Sequence, residues 1–372
     1  MIKVLLVYPM ELPWYDHYHR ELLSEDSIRY CVTGTKQVIQ HAIGMEKKEA
    51  KNNFRLNSHL FLKIFGGFSG LDRIINDISP NIIISKELNS ATTYKISKLS
   101  GNFKHIVISD ETVPPEKSLY GKFPITRFYF EYSCSRVNYI IFHSVRSKEA
   151  LLPYCKSIKK SSVIYPTAPV TSDTNAHFDT ISDRKFVFLF IGNMLSNKGV
   201  TTLIKSVSLL STLTDKKFLL RMAGKGPLSE FVRISARNNE HLEFLGYVNE
   251  AQKENLLKSS DVFVYPSEDI ELLGLKRWEE QSPASVMEAM AHGLPVIGSN
   301  SGSLPEIIRD PRVIVEQKNF KDLAIKMKML IERAEYRREL GESNINWSRN
   351  NLRGRGESSK VNDFVKEVWD KK

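Results

Sequence analysis

Cysteine is scarce in this chain of 372 residues, where Cys31, Cys134 and Cys155 are the only three. Their scattered spacing argues against a disulfide framework or a zinc-finger pattern, so a reducing compartment is expected and each thiol reads as small core filler. No apolar run approaches the roughly 20 residues that a membrane-spanning helix needs. The opening MIKVLLVYP is too short for a signal peptide and is interrupted by Pro9 and Glu11. A cytoplasmic protein, soluble or peripheral, is therefore expected. There is no compact basic run, zinc spacing or RNA-binding aromatic motif, which sets nucleic acid aside as a partner. No Asp-x-Asp pair occurs anywhere, so no metal site of that kind is expected. Internal repeats and low-complexity segments are also missing.

What remains is an ordinary globular composition, 41% apolar and 26% charged, with enough length for two domains. Short apolar runs at Val4 to Tyr8, Ile82 to Ile84, His105 to Ile108 and Tyr139 to Phe142 alternate with helical patterns such as Leu71, Ile74, Ile75 and Ile78. That alternation predicts a parallel, doubly wound sheet. Residues 167–184 are rich in small polar residues and have little periodicity, which suits a linker. A second α/β half then runs over residues 185–345. Val361, Phe364, Val365 and Val368 mark a terminal helix within 346–372.

The most informative stretch is WEEQSPASVMEAMAHGLPVIGSNSGSLPE, in which Glu280 and Glu288 stand with seven residues between them. Ser282 and Pro283 read as a helix start, with the hydroxyl as cap and proline at the first helical position. Gly293 and Pro295 stop the helix. The N–H groups of Ala284, Ser285 and Val286 would then be free to bind a phosphate or a sugar hydroxyl. Upstream, the continuous apolar run FVFLFI, Phe186 to Ile191, predicts a strand buried on both faces. It leads into Gly192-Asn193-Met194-Leu195-Ser196-Asn197-Lys198-Gly199 and a helix with Val200, Leu203, Ile204, Val207 and Leu210 on one side. A strand ending in Gly224-Lys225-Gly226-Pro227 follows, then Phe244-Leu245-Gly246-Tyr247-Val248 and Asp261-Val262-Phe263-Val264-Tyr265-Pro266-Ser267.

In this order, over residues 186–310, the pieces resemble retaining glycosyltransferases of family 4, which have the GT-B fold. The resemblance implies an α/β protein of two Rossmann-like domains facing a central cleft, with the acceptor side in residues 1–166 and the donor side in 185–345. It implies a metal-independent hexosyltransferase that takes a UDP- or GDP-type nucleoside diphosphate sugar as donor, needs no cofactor and retains anomeric configuration. Lys198 would neutralise the leaving diphosphate with Gly192, Asn193 and the amides of Ala284, Ser285 and Val286. Glu280 would hold the transferred sugar, Glu288 the ribose, and Tyr247 would lie beside the base pocket. Glu306 is expected to be structural.

The sequence also departs from the family. Asn193 stands where arginine is usual, Ser282 and Pro283 replace a usual Phe-Gly, and no glycine-rich turn follows the first strand. Two other classes therefore stay open, a nucleotide-sugar epimerase of the same architecture and a non-catalytic partner subunit. Release of nucleotide with an altered sugar and no acceptor would mark the first; failure to turn over any donor would mark the second. In the first half Asp110 and Glu111 end a strand, where ligands of parallel sheets gather. The net charge of +10 asks for an anionic partner. An anionic membrane surface fits best, because basic and aromatic residues interleave over residues 58–68 and 117–130, and a glycan or lipid-linked acceptor would be met there.

Overall fold

The computed structural model describes residues 2–8, 28–34, 54–55, 70–166, 184–352 and 356–371. The chain divides into two compact units, Met1–Thr167 with Leu272–Arg277 and Gly354–Lys372, and Ala168–Glu271 with Trp278–Arg353. Apart from Arg184, the linker expected at 167–184 lies outside the described residues.

In the first unit the elements are β1 (Ile2–Tyr8), β2 (Ile28–Gly34), β3 (Phe54–Arg55), α1 (Leu71–Ile78), β4 (Ile82–Lys86), α2 (Ala91–Lys98), β5 (Lys104–Ser109), α3 (Pro124–Arg136), β6 (Tyr139–Phe142), α4 (Val145–Leu151) and β7 (Lys160–Val163). The second unit continues with β8 (Phe186–Ile191), α5 (Val200–Leu213), β9 (Phe218–Ala223), α6 (Ser229–Arg237), β10 (Leu242–Gly246), α7 (Glu250–Lys258), β11 (Val262–Tyr265), then, after the short pair β12 (Ile270–Leu272) and β13 (Leu275–Trp278), of which Leu272–Arg277 count with the first unit, α8 (Ala284–Ala291), β14 (Val296–Ser299), α9 (Leu304–Ile308), β15 (Ile314–Val315), α10 (Phe320–Glu332) and α11 (Ala334–Asn351). The terminal helix α12 (Gly356–Asp370) belongs to the first unit.

Each unit is built on an all-parallel sheet, ordered β3-β2-β1-β4-β5-β6-β7 in the first and β10-β9-β8-β11-β14-β15 in the second. In both, the order reverses beside the first strand, as in doubly wound folds. Strand side chains alternate between faces. On β1, Val4 and Leu6 therefore pack with Phe364, Val365 and Val368 of α12, whereas Leu5 and Val7 pack with Leu71, Ile74 and Ile78 of α1. A sheet covered on both sides needs apolar residues at most positions, which is why Ile82–Ile84 of β4 and the whole of β6 read as unbroken apolar runs. Local chemistry sets the helix starts: Ser90 accepts from the Thr93 N–H at 3.1 Å, Ser144 from that of Ser147 at 3.0 Å, and Asn249 and Gln252 form a capping box on α7.

Two features differ from the sequence expectation. Cys134 on α3 and Cys155 after α4 form a disulfide, with Cα atoms 4.4 Å apart, rather than serving as separate core fillers. Their separation of 21 residues hides that α3 and the turn after α4 share one core cluster. The late segment also holds two helices, α10 and the polar 18-residue α11, inside which residue 345 falls.

Truncating Phe364 tests whether α12 is part of the first core. Phe364→Ala should destabilise the protein by about 3 kcal/mol, the usual cost of emptying a buried aromatic site. Urea unfolding would measure it, and a change below about 0.5 kcal/mol would mean that α12 does not pack there.

Candidate functional site

The carboxyl ends of β8, β9 and β11 meet where backbone approaches are too close for any side chain. A Cβ on Gly224 would stand 1.9 Å from the Gly192 carbonyl oxygen, and one on Gly199 1.9 Å from that of Pro266. Gly199 is in the left-handed region at φ 67°, so glycine is needed on both counts. These approaches press the loop from Gly192 to Gly199 between the Gly224 turn and the segment after β11. Lys198 is thereby turned inward.

Its ammonium lies 2.7 Å from Glu280 Oε2. It also sits 4.5 Å from the ring centre of Trp278 and 5.3 Å from that of Tyr265, within cation–π range. Burial works against the lysine charge, but Tyr265 and Glu280 outweigh it and hold Lys198 above the ordinary lysine value. It therefore stays protonated. Burial, and then the Glu280 charge, raise the Tyr265 phenol against the pull of Lys198.

Glu280 is 4% exposed and anchored at Oε2 and at both of its backbone polar groups. Ser267 Oγ donates to Oε2 at 2.5 Å, its N–H donates to Ser301 Oγ at 3.0 Å, and its carbonyl accepts from the Ser303 N–H at 2.8 Å. Ser301 donates onward to Asp269 at 2.6 Å. A Cβ on Gly302, at φ 49°, would lie 1.9 Å from the Glu280 carbonyl oxygen. The serine- and glycine-rich stretch after β14 thus has a local purpose, to seat the Glu280 backbone.

Helix α8 begins one position later than the sequence suggested. Pro283 precedes its first residue instead of occupying it, no side chain caps the helix, and Ser282 Oγ has no hydrogen-bond partner among the described residues. The Pro283 carbonyl accepts from Val286 at 3.0 Å and from Met287 at 3.1 Å. Val286 therefore does not offer the free N–H expected of it; only the N–H groups of Ala284 and Ser285 have no acceptor among the described residues. Proline at the boundary tightens the first turn, which uses up one donor.

Glu288 lies one helical stretch on, on the same helix. Its carboxylate is held by Lys253 of α7, with Nζ 3.0 Å from Oε1 and 2.9 Å from Oε2. Burial raises its pKa against the pull of Lys253. Tyr247 is 70% exposed on the turn after β10, with Lys225 Nζ 5.3 Å from its ring centre. Asn193 is exposed too. The cluster in direct contact is therefore Lys198, Glu280, Tyr265, Ser267 and Trp278. Lys253, Tyr265, Ser267 and Trp278 were not singled out from sequence; each is an ordinary residue until its partner is known.

In the first unit Asp110 is not a solvated loop carboxylate. Lys86 Nζ lies 2.5 Å from it and His143 Nδ1 is bonded to its other oxygen, at the carboxyl ends of β4, β5 and β6. Burial would raise Asp110, but Lys86 and His143 outweigh it and hold the carboxyl below the usual range. Glu87, at φ 62°, accepts from Ser109 Oγ at 2.7 Å and from the Asp110 N–H at 2.9 Å, and is raised by burial and by the Asp110 charge. The signal for Lys86 and His143 was a polar residue directly ending a buried strand.

With this geometry in place, residues 172–347 match the family described as glycosyl transferases group 1. By that match this part of the chain is similar to group 1 glycosyltransferases. Spore coat protein SA of Bacillus subtilis is 28% identical over 183 residues, covering 44% of this chain and 46% of that protein, so the match spans less than half of that relative's length. A glycosyltransferase structure from Rickettsia africae aligns with 100% of this chain and 99% of its own at a TM-score of 0.75 and 17% identity. The Anabaena protein HepE in complex with UDP aligns with 98% of this chain and 100% of its own at 0.71 and 13% identity. The fold is accordingly GT-B, with two Rossmann-like α/β domains as the sequence implied.

The seating of Glu280 gives a stability prediction. Gly302→Ala combines a left-handed φ with a blocked approach to the Glu280 carbonyl, and should cost about 2 kcal/mol or more. Thermal unfolding reads this directly. An unchanged melting temperature would show that the second unit does not need this close approach.

Proposed function

We propose that the protein is a metal-independent, retaining glycosyltransferase of hexosyltransferase type, using a UDP- or GDP-linked sugar as donor and a glycan or lipid-linked acceptor. The observation that carries this is the buried, protonated Lys198 beside Glu280 and the two free amides of α8. A diphosphate leaving group gains negative charge as the anomeric C–O bond breaks and its electron pair departs on the phosphate oxygen. Fixed donors at that position stabilise the developing charge without reorganising. An acceptor hydroxyl then bonds the anomeric carbon and passes its proton to the oxygen of the departing diphosphate. In this reading Lys198, Gly192, Asn193 and the Ala284 and Ser285 amides meet the diphosphate, Glu280 the sugar, Glu288 the ribose and Tyr247 the base. The first unit supplies the acceptor residues, with Asp110 at their head.

The reading is tested by donor turnover. Lys198→Ala should lower turnover about 10²-fold, as loss of a preorganised donor does elsewhere, and Glu288→Ala should weaken donor binding. Full activity in both would remove the site, and an equal loss in Lys225→Ala would point to the other lysine turn. Transfer should persist in excess EDTA; loss restored by manganese or magnesium would overturn metal independence.

We also propose peripheral contact of the first unit with an anionic leaflet at the cytoplasmic face. No helix among the described residues is long and apolar enough to cross a membrane. Residues 58–68 lie outside the described residues. In the second segment Tyr129 and Phe130 are core, so the contact narrows to Phe123 and Phe128, 54% and 50% exposed, with Lys117 and Lys122. Each basic residue near such a surface contributes about 1 kcal/mol. Changing Lys117 and Lys122 to glutamate should reduce co-sedimentation with anionic vesicles at least about tenfold and leave neutral vesicles unaffected. Equal binding by both proteins would favour an acceptor met in solution.

A further inference from the structure

Lys253 makes more contacts with one carboxylate than an incidental helix-to-helix ion pair needs. A lysine ammonium has three N–H donors. Lys253 Nζ donates to Glu288 Oε1 at 3.0 Å and forms ion pairs with Glu288 Oε2 at 2.9 Å and Glu250 Oε2 at 2.8 Å. The side chains of Lys253 and Glu288 are 17% and 13% exposed, whereas that of Glu250 is 83% exposed. The pair with Glu288 is therefore the sheltered one, where water competes least.

The chemistry on the other side of the contact is equally definite. An ionised carboxylate offers about four lone-pair positions, two on each oxygen. An ammonium bonded to one oxygen and close to the other occupies one side of the carboxylate and leaves an acceptor position on each oxygen facing away from Lys253. Two adjacent hydroxyls on a ring, a vicinal diol, are the matching donor set. The backbone behind the carboxylate is tied as well, because His292 Nδ1 lies 2.8 Å from the Glu288 carbonyl and its Nε2 2.9 Å from Glu254. Burial alone would favour the protonated acid, which would turn one of those acceptors into a donor.

We propose that Lys253 is a positioning residue for donor recognition, holding the Glu288 carboxylate aimed so that its acceptors on the far side receive the ribose 2′- and 3′-hydroxyls. This rests on the reading of Glu288 as a donor-binding group. With its ammonium already in contact with Glu288 and Glu250, Lys253 acts through Glu288 and not by touching the donor.

The experiment compares UDP and GDP with their 2′-deoxy analogues by calorimetric titration of the full chain, in the wild type, Lys253→Met, Lys253→Arg, Glu288→Gln and the Lys253→Met/Glu288→Gln double variant. The wild type should prefer the ribonucleotide. Lys253→Met should weaken ribonucleotide binding about tenfold, the loss of one charge-assisted contact, and erase the preference over the deoxy form. Lys253→Arg should restore much of both, and the double variant should bind no worse than Glu288→Gln alone. In turnover, the Lys253→Met effect should fall on donor KM with kcat within about twofold. If Glu288→Gln leaves nucleotide binding unchanged, the role assigned to Glu288 fails and the inference with it. If Glu288→Gln weakens binding but Lys253→Met does not, the inference alone is overturned. Equal weakening of ribo and deoxy forms by Lys253→Met would overturn it as well, since a mere staple between α7 and α8 predicts that result.

Discussion

A buried ammonium keeps its charge only where anionic or aromatic groups replace the water it has lost, and the core of the second unit depends on meeting that requirement at Lys198. The glycines at 199 and 224 let three strand ends converge on one point; the serines at 267, 301 and 303 fix the carboxylate that faces the lysine. Tyr265 and Trp278 exclude water on the ring-facing sides. Removing any one of these leaves a charge with less compensation than its burial costs. This explains why such small residues crowd so short a stretch of chain.

The same requirement shapes the first unit with different residues. Asp110 is surrounded by Lys86 and His143 at the carboxyl ends of parallel strands, and Glu87 supports the turn from a left-handed conformation. A carboxylate held ionised beside a neighbouring carboxyl pushed towards its acid form gives that edge two groups of opposite proton affinity, since burial and the Asp110 charge both raise Glu87.

Much of the fold was legible because it depends on local pattern. Phe186 to Ile191 and Tyr139 to Phe142 could only be strands buried on both faces, and Val361, Phe364, Val365 and Val368 could only be one side of a helix. The partners of the site were not legible, because they are set by tertiary convergence. Lys198 and Glu280 are 82 residues apart, Lys253 and Glu288 are 35 apart, and the cysteine pair is 21 apart. Helix starts failed for a subtler reason. Serine before proline matches the statistics of a cap, yet here the proline takes the boundary position and its carbonyl engages the next two amides, so Ser282 has no N–H to receive.

Counting lysine donors separates the two lysines that face the paired glutamates. Lys198 gives one hydrogen bond, to Glu280, and otherwise faces aromatic rings. Lys253 instead contacts two carboxylates, Glu288 and Glu250. On the proposed reading, an arriving diphosphate would meet a lysine that is already oriented and charged and would not have to break the Lys198–Glu280 contact to gain a hydrogen bond. The glutamate beside the more heavily paired lysine would offer its far-side acceptors instead. Anion recognition and hydroxyl recognition would then fall to opposite members of two ion pairs, Lys198 in one and Glu288 in the other. The difference arises from which partner has hydrogen-bonding capacity to spare, something that neither the identity of the residues nor their spacing in the chain reveals.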